Sequence, residues 1–424
     1  MTKRPLFAAL AALSLSGALV ASLVTASPAS AKPMKPGDPV PSGTFIPSAM
    51  FGQHVMNLEY GNWPTIPIGS VRLWDNQTSW SSIEKAQGNF DWTNLDTAVA
   101  TAQKNGVNDF LMVLAGTPAW ASDDMSAGGV AGVLPGGAGM PRDFSWWDNW
   151  VRQVATRYKG KINNYQVWNE ANLSTFSTGS PEEMADLTKR AYDIIKQVDP
   201  GATVVAPSTG TRLGGPFKKF YEPYLRALKA KGWPIDVFAA HTYPSALGQT
   251  KDRAKLAKDY TTMLRQYGAP DKPIWDTENN FGLAGPGSAN PEQDIEGQTA
   301  GDWVGENYLD ALRLGFSRVY WYRWTTAYDD MWGIQMYNGT PGAIAFKTLE
   351  DWIVGATFKG CTNKKGAVTC NFTKNGAAFR VVYSDTNAPK SFAVSGAAQA
   401  CKLDGTCSAP SGGTISTSGP VKLG

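Results

Sequence analysis

Short apolar or aromatic runs alternate with amphipathic helical stretches eight times along the chain, and this alternation constrains the fold more than any other feature. The strand candidates are Ala49–Val55, Ile68–Trp74, Asp109–Leu114, Asn164–Trp168, Thr203–Ala206, Val237–Ala240, Pro273–Asp276 and Arg318–Tyr322. The clearest helical stretches between them are Asn94–Lys104, Trp146–Tyr158, Pro181–Gln197 and Gln298–Leu314. Nearly all-apolar strands are typical of a parallel sheet buried on both faces. Eight such units within about 300 residues predict an α/β fold, a closed (β/α)8 barrel of the TIM type.

The alternative to a closed barrel is an open, doubly wound sheet that binds a dinucleotide. Its marker is the Gly-rich turn G-x-G-x-x-G directly after the first strand, and no such motif follows Ala49–Val55. One helix start is also marked, because Ser180 before Pro181 pairs an N-cap with a first helical residue. The Gly-rich stretch Ser122–Pro141 follows the third strand and predicts a long loop on the catalytic face of the barrel.

The pattern changes near residue 355, where helical periodicity stops and short alternating runs such as Ala377–Tyr383 and Ser391–Val394 begin. We therefore predict a barrel at residues 47–355 and a small β-module at residues 356–424. Residues 32–46 are rich in Pro and Gly and are predicted to be a linker.

The first 31 residues have the pattern of an export signal. Lys3 and Arg4 form a positive start, Leu6–Val24 is apolar, and Ala29–Ala31 is an A-x-A cleavage pattern. The alternative is a retained membrane anchor, but the apolar stretch is rich in Ala and Ser and ends at a cleavage site. We predict a secreted, extracellular protein with no stable membrane insertion once the signal is removed.

The cysteines also indicate export, because all four lie in the predicted β-module, at Cys361, Cys370, Cys401 and Cys407. An even number in one small region fits two short-range disulfides formed outside the cytoplasm. The favoured pairs are Cys361–Cys370 and Cys401–Cys407, although other connectivities are open. A zinc site would need close pairs such as C-x2-C, and both histidines are distant in sequence, so we predict no protein metal site.

The charge composition disfavours nucleic acid and anionic lipid as partners. The formal net charge is +3, and Lys3 and Arg4 supply two of these charges, so the mature chain lies near +1. No strong field attracts nucleic acid or anionic lipid. The chain has 16 Trp and 15 Tyr, whose flat faces suit sugar rings, although core packing accounts for such residues equally well.

Two carboxylates follow strands that end on the same face of the predicted barrel. Glu170 follows the fourth strand and Glu278 follows the seventh, and reactive groups of such barrels gather at the carboxyl ends of the strands. Arg72 is placed to keep Glu278 ionised, with a hydrogen bond from Tyr243, whereas an acid must keep its proton. The alternative is that both glutamates only cap the helices that follow or pair with surface lysines.

The motifs around these residues resemble clan A of the retaining glycoside hydrolases, over residues 47–355. The clan's signature is an Asn-Glu pair on strand four, here within Val167-Trp168-Asn169-Glu170-Ala171-Asn172, with a Glu on strand seven. Arg72-Leu73-Trp74-Asp75 and Thr117-Pro118-Ala119-Trp120-Ala121 are most similar to family 39 and its relatives. The chain departs from that family where Ala171 replaces a Pro, which weakens any transfer of substrate.

The resemblance implies roles for individual residues. Glu170 would be the acid/base and Glu278 the nucleophile. Asn169 would bind the 2-hydroxyl of the sugar in the −1 subsite, which His241 and Tyr243 would also line.

The resemblance also suggests roles for two tryptophans and for His54. Trp324 would form the sugar platform on strand eight, unless the register of that strand favours Trp321. Trp120 would stack on a neighbouring sugar. His54 ends the first strand, where substrate contact and simple packing are equally consistent with the sequence.

The implied activity is cofactor-free hydrolysis of an O-glycosidic bond in an oligo- or polysaccharide, through a covalent glycosyl-enzyme intermediate. Exo-action on pentosides or furanosides is the first choice, by family analogy. The alternatives are an endo-acting polysaccharide hydrolase and a non-catalytic carbohydrate-binding barrel. A serine hydrolase is disfavoured, because no G-x-S-x-G elbow is present. The role of the β-module and the oligomeric state stay open.

Overall fold

A computed structural model describes residues 34–128, 135–285 and 293–424. The predicted signal peptide lies outside these residues, as does part of the Gly-rich loop after the third strand. No helix in the described parts of the chain combines the length and hydrophobicity needed to cross a membrane.

Eight strands and eight α-helices of the described residues form the first part of the chain, as the predicted alternation requires. The first two strands are joined by a 3₁₀ turn without an α-helix, and two α-helices lie between the second and third strands. The strands are β1 (Phe51–Val55), β2 (Ser70–Leu73), β3 (Phe110–Val113), β4 (Asn164–Gln166), β5 (Thr203–Val205), β6 (Phe238–His241), β7 (Ile274–Asn279) and β8 (Phe316–Trp324). The helices are α1 (Trp80–Ile83), α2 (Thr93–Lys104), α3 (Phe144–Arg157), α4 (Pro181–Val198), α5 (Gly214–Ala230), α6 (Thr250–Gln266), α7 (Gly297–Leu314) and α8 (Pro341–Ile353). Two 3₁₀ turns, Ser48–Met50 and Leu58–Tyr60, flank β1.

The strands form one parallel sheet in the order β5-β4-β3-β2-β1-β8-β7-β6. Two isolated parallel bridges, between Val205 and Val237 and between Gly210 and His241, connect its two ends, so the sheet is a nearly closed barrel. The predicted (β/α)8 fold is therefore confirmed.

Alternate residues along the strands belong to two separate clusters of buried side chains. In β6, Phe238 and Ala240 belong to the large cluster that includes the helices, whereas Ala239 packs with Trp275 and Tyr320. This two-sided burial is the reason why each strand is apolar throughout.

Helix α4 shows how local sequence fixes an element. The Ser180 side chain accepts a hydrogen bond from the Glu183 amide, and the Glu183 carboxylate accepts one from the Ser180 amide. Pro181 is the first helical residue, as the Ser-Pro pair predicts.

Strand β8 contains an irregularity that moves its last side chains. Gln53 of β1 pairs with Trp321, but Val55 pairs with Trp324, so β8 has one residue more than β1 over this interval. Such a bulge resets the alternation of side chains between the two faces of a strand.

The segment predicted as a linker, residues 32–46, is part of the folded unit where it is described. The Val40 amide donates to the Leu312 carbonyl of α7 at 2.8 Å, and the Gly43 amide donates to the Phe358 carbonyl at 2.7 Å. Val40 is also buried. The segment is thus held to the barrel and to the strands that follow it.

The remaining strands are β9 (Thr357–Lys364), β10 (Ala367–Lys374), β11 (Ala377–Ser384), β12 (Lys390–Ala393), β13 (Ala400–Lys402), β14 (Cys407–Ser408), β15 (Thr414–Thr417) and β16 (Val421–Leu423). Six of them form an antiparallel sheet in the order β14-β13-β16-β11-β10-β9, and β12 pairs with β15. The disulfides are Cys361–Cys370, between β9 and β10, and Cys401–Cys407, between β13 and β14. These are the favoured pairs, and the sheet is the predicted β-module.

Candidate active site

Glu170 and Glu278 meet at the carboxyl end of the barrel. Glu278 lies within β7, and Glu170 follows β4 by four residues. One carboxylate oxygen of each, together with one ring nitrogen of His241, all lie within 4.8 Å of one another. Two acidic groups separated by more than a hundred residues therefore face the same small volume.

Glu278 is held in a cationic, hydrogen-bonding environment. The Arg72 Nη1 donates to its Oε1 at 2.5 Å, and the Tyr243 hydroxyl donates to its Oε2 at 3.0 Å. Arg72 is fully buried and Glu278 is 7% exposed. Glu278 therefore has the two partners, Arg72 and Tyr243, that the sequence suggested for it.

Arg72 also orients the side chains around the two glutamates. Its Nε donates to the Gln166 Oε1 and its Nη2 donates to the Asn169 Oδ1, both at 2.8 Å. A guanidinium can only donate, so the amide oxygens of both side chains face Arg72 and their NH2 groups point away from it. The Asn169 Nδ2 is thereby left free to donate into the cavity that Asn169 lines.

Glu170 has the opposite electrical environment. Burial raises its pKa to about 7, while the charges of Arg212 and Arg72 act in the lowering direction. Its side chain is 12% exposed, and its Oε1 lies 3.1 Å from His241 Nδ1. A carboxyl group with such a pKa is protonated in about half of the molecules at neutral pH, which suits a general acid.

The backbone at Glu170 is unusual and is supported by its neighbours. Its φ is +38°, in the left-handed region, and its amide donates to the Ser208 Oγ at 2.9 Å. Gly210 packs directly against the carboxyl group, because a Cβ there would lie 2.7 Å from the Glu170 Oε1. Gly210 is held in turn by reciprocal 2.9 Å bonds with the Asn172 amide group.

His241 lies between the two carboxyl groups as a neutral imidazole. Burial lowers its pKa to about 3, although the nearby Glu278 carboxylate acts to raise it. Its Nδ1 is 3.1 Å from Glu170 Oε1 and 3.3 Å from Glu278 Oε2. Its Nε2 is 3.0 Å from Thr277 Oγ1, which accepts a bond from Gln166 Nε2. A carboxylate can only accept, so the neutral ring carries its proton on Nδ1, facing the carboxyl groups. Its Nε2 then accepts a hydrogen bond from the Thr277 hydroxyl.

His54 lies behind the site. Its Nδ1 is 3.1 Å from Asp75 Oδ2, and its Nε2 is 3.2 Å from Arg72 Nη1 and from the Thr277 carbonyl oxygen. Fully buried and absent from the cavity lining, it positions Arg72 rather than touching substrate.

The glutamates open into a cavity of about 160 Å³. Its polar lining includes Asn169, Glu170, Thr211, Arg212, His241 and Glu278. Its aromatic lining consists of Trp74, Phe176, Tyr243, Tyr322 and Trp332. The rings of Tyr243 and Trp332 stack with centroids 5.3 Å apart. The cavity thus combines polar groups at its base with aromatic walls.

Two predicted sugar platforms lie elsewhere. Trp324 is 4% exposed and packs in the hydrophobic core, because the bulge in β8 changes the face from which it projects. Trp120 is half-buried against Trp80 and Trp146, and its indole N–H donates to the Glu84 carbonyl. Neither lines the cavity. The expectation for Trp324 is thus wrong, whereas stacking of Trp120 on a neighbouring sugar stays a prediction.

Trp332 and Tyr322 line the cavity instead. Trp332 is in the loop after β8, where no alternation along a strand marks the inward-facing side chains. Arg212 was missed as well; its one signal was its position in the loop after the fifth strand.

The three groups at the centre also have a spacing that can hold a metal ion. Arg72 places a positive charge 2.5 Å from Glu278, which disfavours a second cation at that oxygen. The absence of a metal cofactor stays a prediction.

The segment that contains both glutamates matches the model of a protein family. Residues 139–304 match the model described as the glycosyl hydrolase catalytic core. This part of the chain is thus similar to a glycosyl hydrolase catalytic core. The matched segment spans both glutamates and His241, and the predicted enzyme class, a glycosidase, is confirmed.

Solved structures of several glycoside hydrolases have the same fold as this chain. A family 39 glycoside hydrolase from Bacteroides cellulosilyticus has a TM-score of 0.62 at 16% identity, covering 90% of this chain and 82% of that one. A GH39 β-xylosidase from Caulobacter crescentus has a TM-score of 0.59 at 14% identity, covering 92% and 98%. A GH30 endoxylanase from Clostridium papyrosolvens has a TM-score of 0.56 at 16% identity, covering 90% and 96%. The predicted resemblance to clan A, family 39 and its relatives, is confirmed at the level of fold and catalytic core.

Proposed function

We propose that this chain is a secreted, retaining glycosidase that removes pentosyl or furanosyl units from the end of a polysaccharide chain. Glu170 is its acid/base and Glu278 its nucleophile. The observation that carries the proposal is the pair of carboxyl groups that share one cavity in opposite protonation environments.

The separation of the two groups supports retention of anomeric configuration. Retaining enzymes hold their carboxyl groups about 5–5.5 Å apart, whereas inverting enzymes leave about 6.5–9.5 Å for a water molecule. The oxygens of Glu170 and Glu278 approach within 4.8 Å, which favours direct attack by one of them.

The contacts assign the two roles. Arg72 and Tyr243 stabilise negative charge on Glu278, so Glu278 attacks the anomeric carbon while the bond to the leaving oxygen breaks. Glu170 donates its proton to that oxygen in the same step. In the second step, the ionised Glu170 takes a proton from water, which displaces Glu278 and releases the sugar.

Asn169 supplies the contact to the sugar. Its amide nitrogen faces the cavity because Arg72 holds its oxygen, and a 2-hydroxyl bound there accepts a hydrogen bond from it. Such a contact strengthens as the oxocarbenium-like transition state forms.

The size of the cavity supports exo-action. At about 160 Å³ it is smaller than the roughly 300–1,000 Å³ typical of small-molecule pockets, which favours one sugar ring over a chain. The names of two solved structures with this fold, a β-xylosidase and an endoxylanase, are consistent with a pentose-containing substrate. Secretion is supported by the two disulfides and by the likeness in fold to an exported protein from Bacteroides fragilis, with a TM-score of 0.61 at 13% identity.

The test is a panel of nitrophenyl glycosides and pentose-containing polysaccharides, with the anomer of each product followed by NMR. We expect wild type to release single sugars with retained configuration. Glu278→Gln should be inactive on all substrates, and Glu170→Gln should keep more activity on nitrophenyl glycosides than on polysaccharides. Glu182→Gln, an exposed carboxylate on α4, serves as the matched control.

Three outcomes would contradict parts of the proposal. Inverted products would reject the double displacement. Release of internal fragments would favour an endo-acting hydrolase. Glycan binding without turnover by wild type and both variants would favour a non-catalytic carbohydrate-binding protein.

A further inference from the structure

Arg212 brings a positive charge into the wall of the cavity. Its Nη1 donates to the Leu283 carbonyl at 3.1 Å, and no carboxylate among the described residues forms an ion pair with it. A guanidinium has five N–H donors in a planar fork, so most of its hydrogen-bonding capacity is left for a ligand. The side chain is half-buried, which strengthens any ion pair formed there relative to bulk water.

Arg212 lies on the side of Glu170. Gly210, two residues before it, packs against the Glu170 carboxyl group, since a Cβ there would lie 2.7 Å from Oε1. The positive charge of Arg212 correspondingly acts to lower the pKa of Glu170. Since the acid must reach the leaving oxygen, the leaving sugar lies on this side of the scissile bond. Arg212 is therefore next to the +1 position, and Glu278 faces the −1 position.

Arg212 and Thr211 line a second hollow as well, of about 490 Å³, between α5 and α6. In that hollow, Lys255 is paired with Asp259 at 2.8 Å, so its charge is already compensated. Among the described residues that line the catalytic cavity, Arg212 is a cation without a carboxylate partner.

We propose that Arg212 binds the acid group of an acidic sugar at the leaving-group position, so that the enzyme prefers linkages to a uronate or to a sulfated sugar. This inference rests on the proposed function, because Glu170 defines the leaving-group side. The planar guanidinium matches the two oxygens of a carboxylate or sulfate in a bidentate pair.

A bound anion would also act on the acid. It compensates the charge of Arg212 and so removes an influence that lowers the pKa of Glu170. The acid then keeps its proton when the correct leaving group is bound. Substrate recognition and proton donation are thus coupled through one side chain.

The test uses four disaccharides with the −1 sugar that the nitrophenyl panel identifies. Their +1 sugars are glucuronate, its methyl ester, glucose 6-sulfate and glucose. We expect wild type to show kcat/KM values about 10- to 100-fold higher for an acidic +1 sugar than for the ester and glucose, the range of a charged hydrogen-bonded pair. The two acidic arms distinguish carboxylate from sulfate.

Variants separate binding from folding. Arg212→Gln should reduce the ratio of kcat/KM between acidic and neutral disaccharides to about 1, and Arg212→Lys should keep part of the preference because the charge remains. Arg226→Gln, on the exposed face of α5, is the matched control and should keep the full preference. If Arg212→Gln does not melt like wild type, Arg212→Lys decides the question.

Three results would overturn the inference. Equal kcat/KM of wild type on acidic and neutral disaccharides, with nitrophenyl glycosides still cleaved, would reject it and leave the proposed function intact. A preference that survives in Arg212→Gln would also reject it. Absence of turnover on every glycoside would overturn both proposals.

Discussion

Replacing Glu170 by Gln should stabilise the protein at alkaline pH while removing the general acid. Burial raises the pKa of this carboxyl from 4.5 to about 7, so the folded state favours its protonated form. The stability that it contributes is complete below the unfolded pKa, near 4.5, and is lost as the pH rises towards 7. Gln resembles the protonated carboxyl in shape and does not ionise.

The size of the effect follows from the pKa difference. Each unit corresponds to about 1.4 kcal/mol, so ionised Glu170 destabilises the folded state by about 3 kcal/mol at pH 8. At pH 5, where the group is protonated in the folded protein, the loss is about 1 kcal/mol. The advantage of Glu170→Gln over wild type should therefore grow by about 2 kcal/mol between these two pH values.

Differential scanning calorimetry of both proteins at pH 5 and pH 8 measures this difference. For a chain of 424 residues, about 2 kcal/mol corresponds to a shift in Tm of about 2 °C. Other groups titrate in both proteins and cancel in the comparison. Glu182→Gln should show no pH-dependent gap, because this side chain is exposed. If the difference in Tm between Glu170→Gln and wild type stays constant or decreases from pH 5 to pH 8, the reasoning is refuted.

Three further predictions concern the site and the C-terminal sheet. For glycosides with poor leaving groups, kcat/KM should fall to about one-tenth of its maximum by pH 8, because Glu170 must be protonated with a pKa of about 7; a dinitrophenyl glycoside, which needs no proton, should show no such limb. Arg72→Met should lower the free energy of unfolding by about 3–5 kcal/mol in denaturant titrations, because it leaves the buried carboxylate of Glu278 unpaired; an unchanged midpoint would contradict this. Reduction of the two disulfides should speed hydrogen exchange in β9–β16 before the barrel, since each short loop contributes about 2–3 kcal/mol; simultaneous exchange of the barrel would argue against this order.

The barrel and its two glutamates were predictable because both follow from simple physical rules. Strands buried on both faces must be apolar throughout, which made the eight runs visible. Parallel strands bring their carboxyl ends to one face, so Glu170 and Glu278 were expected to meet there. The fold and the approach of these two side chains are found in the structure.

The cavity wall was less predictable, since it depends on loops and on one irregular strand. Alternation along β8 placed Trp324 in the site, but the extra residue opposite β1 sends it into the core. Trp332 and Arg212 come from loops, which have no periodicity that marks the inward-facing side. Pro and Gly content likewise suggested a linker at residues 32–46 and gave no sign of its tertiary hydrogen bonds.

That N-terminal segment ties the start of the folded chain to its last third. The Ile46 amide donates to the Ala356 carbonyl at 2.9 Å, and the Phe358 amide donates to the Thr44 carbonyl at 2.8 Å. Truncating the protein after residue 355 would leave the Ile46 amide without its acceptor and the Thr44 carbonyl without its donor. A shortened protein must therefore keep both segments. Loops that are distant from these hydrogen bonds are the better sites for insertions or for new chain termini.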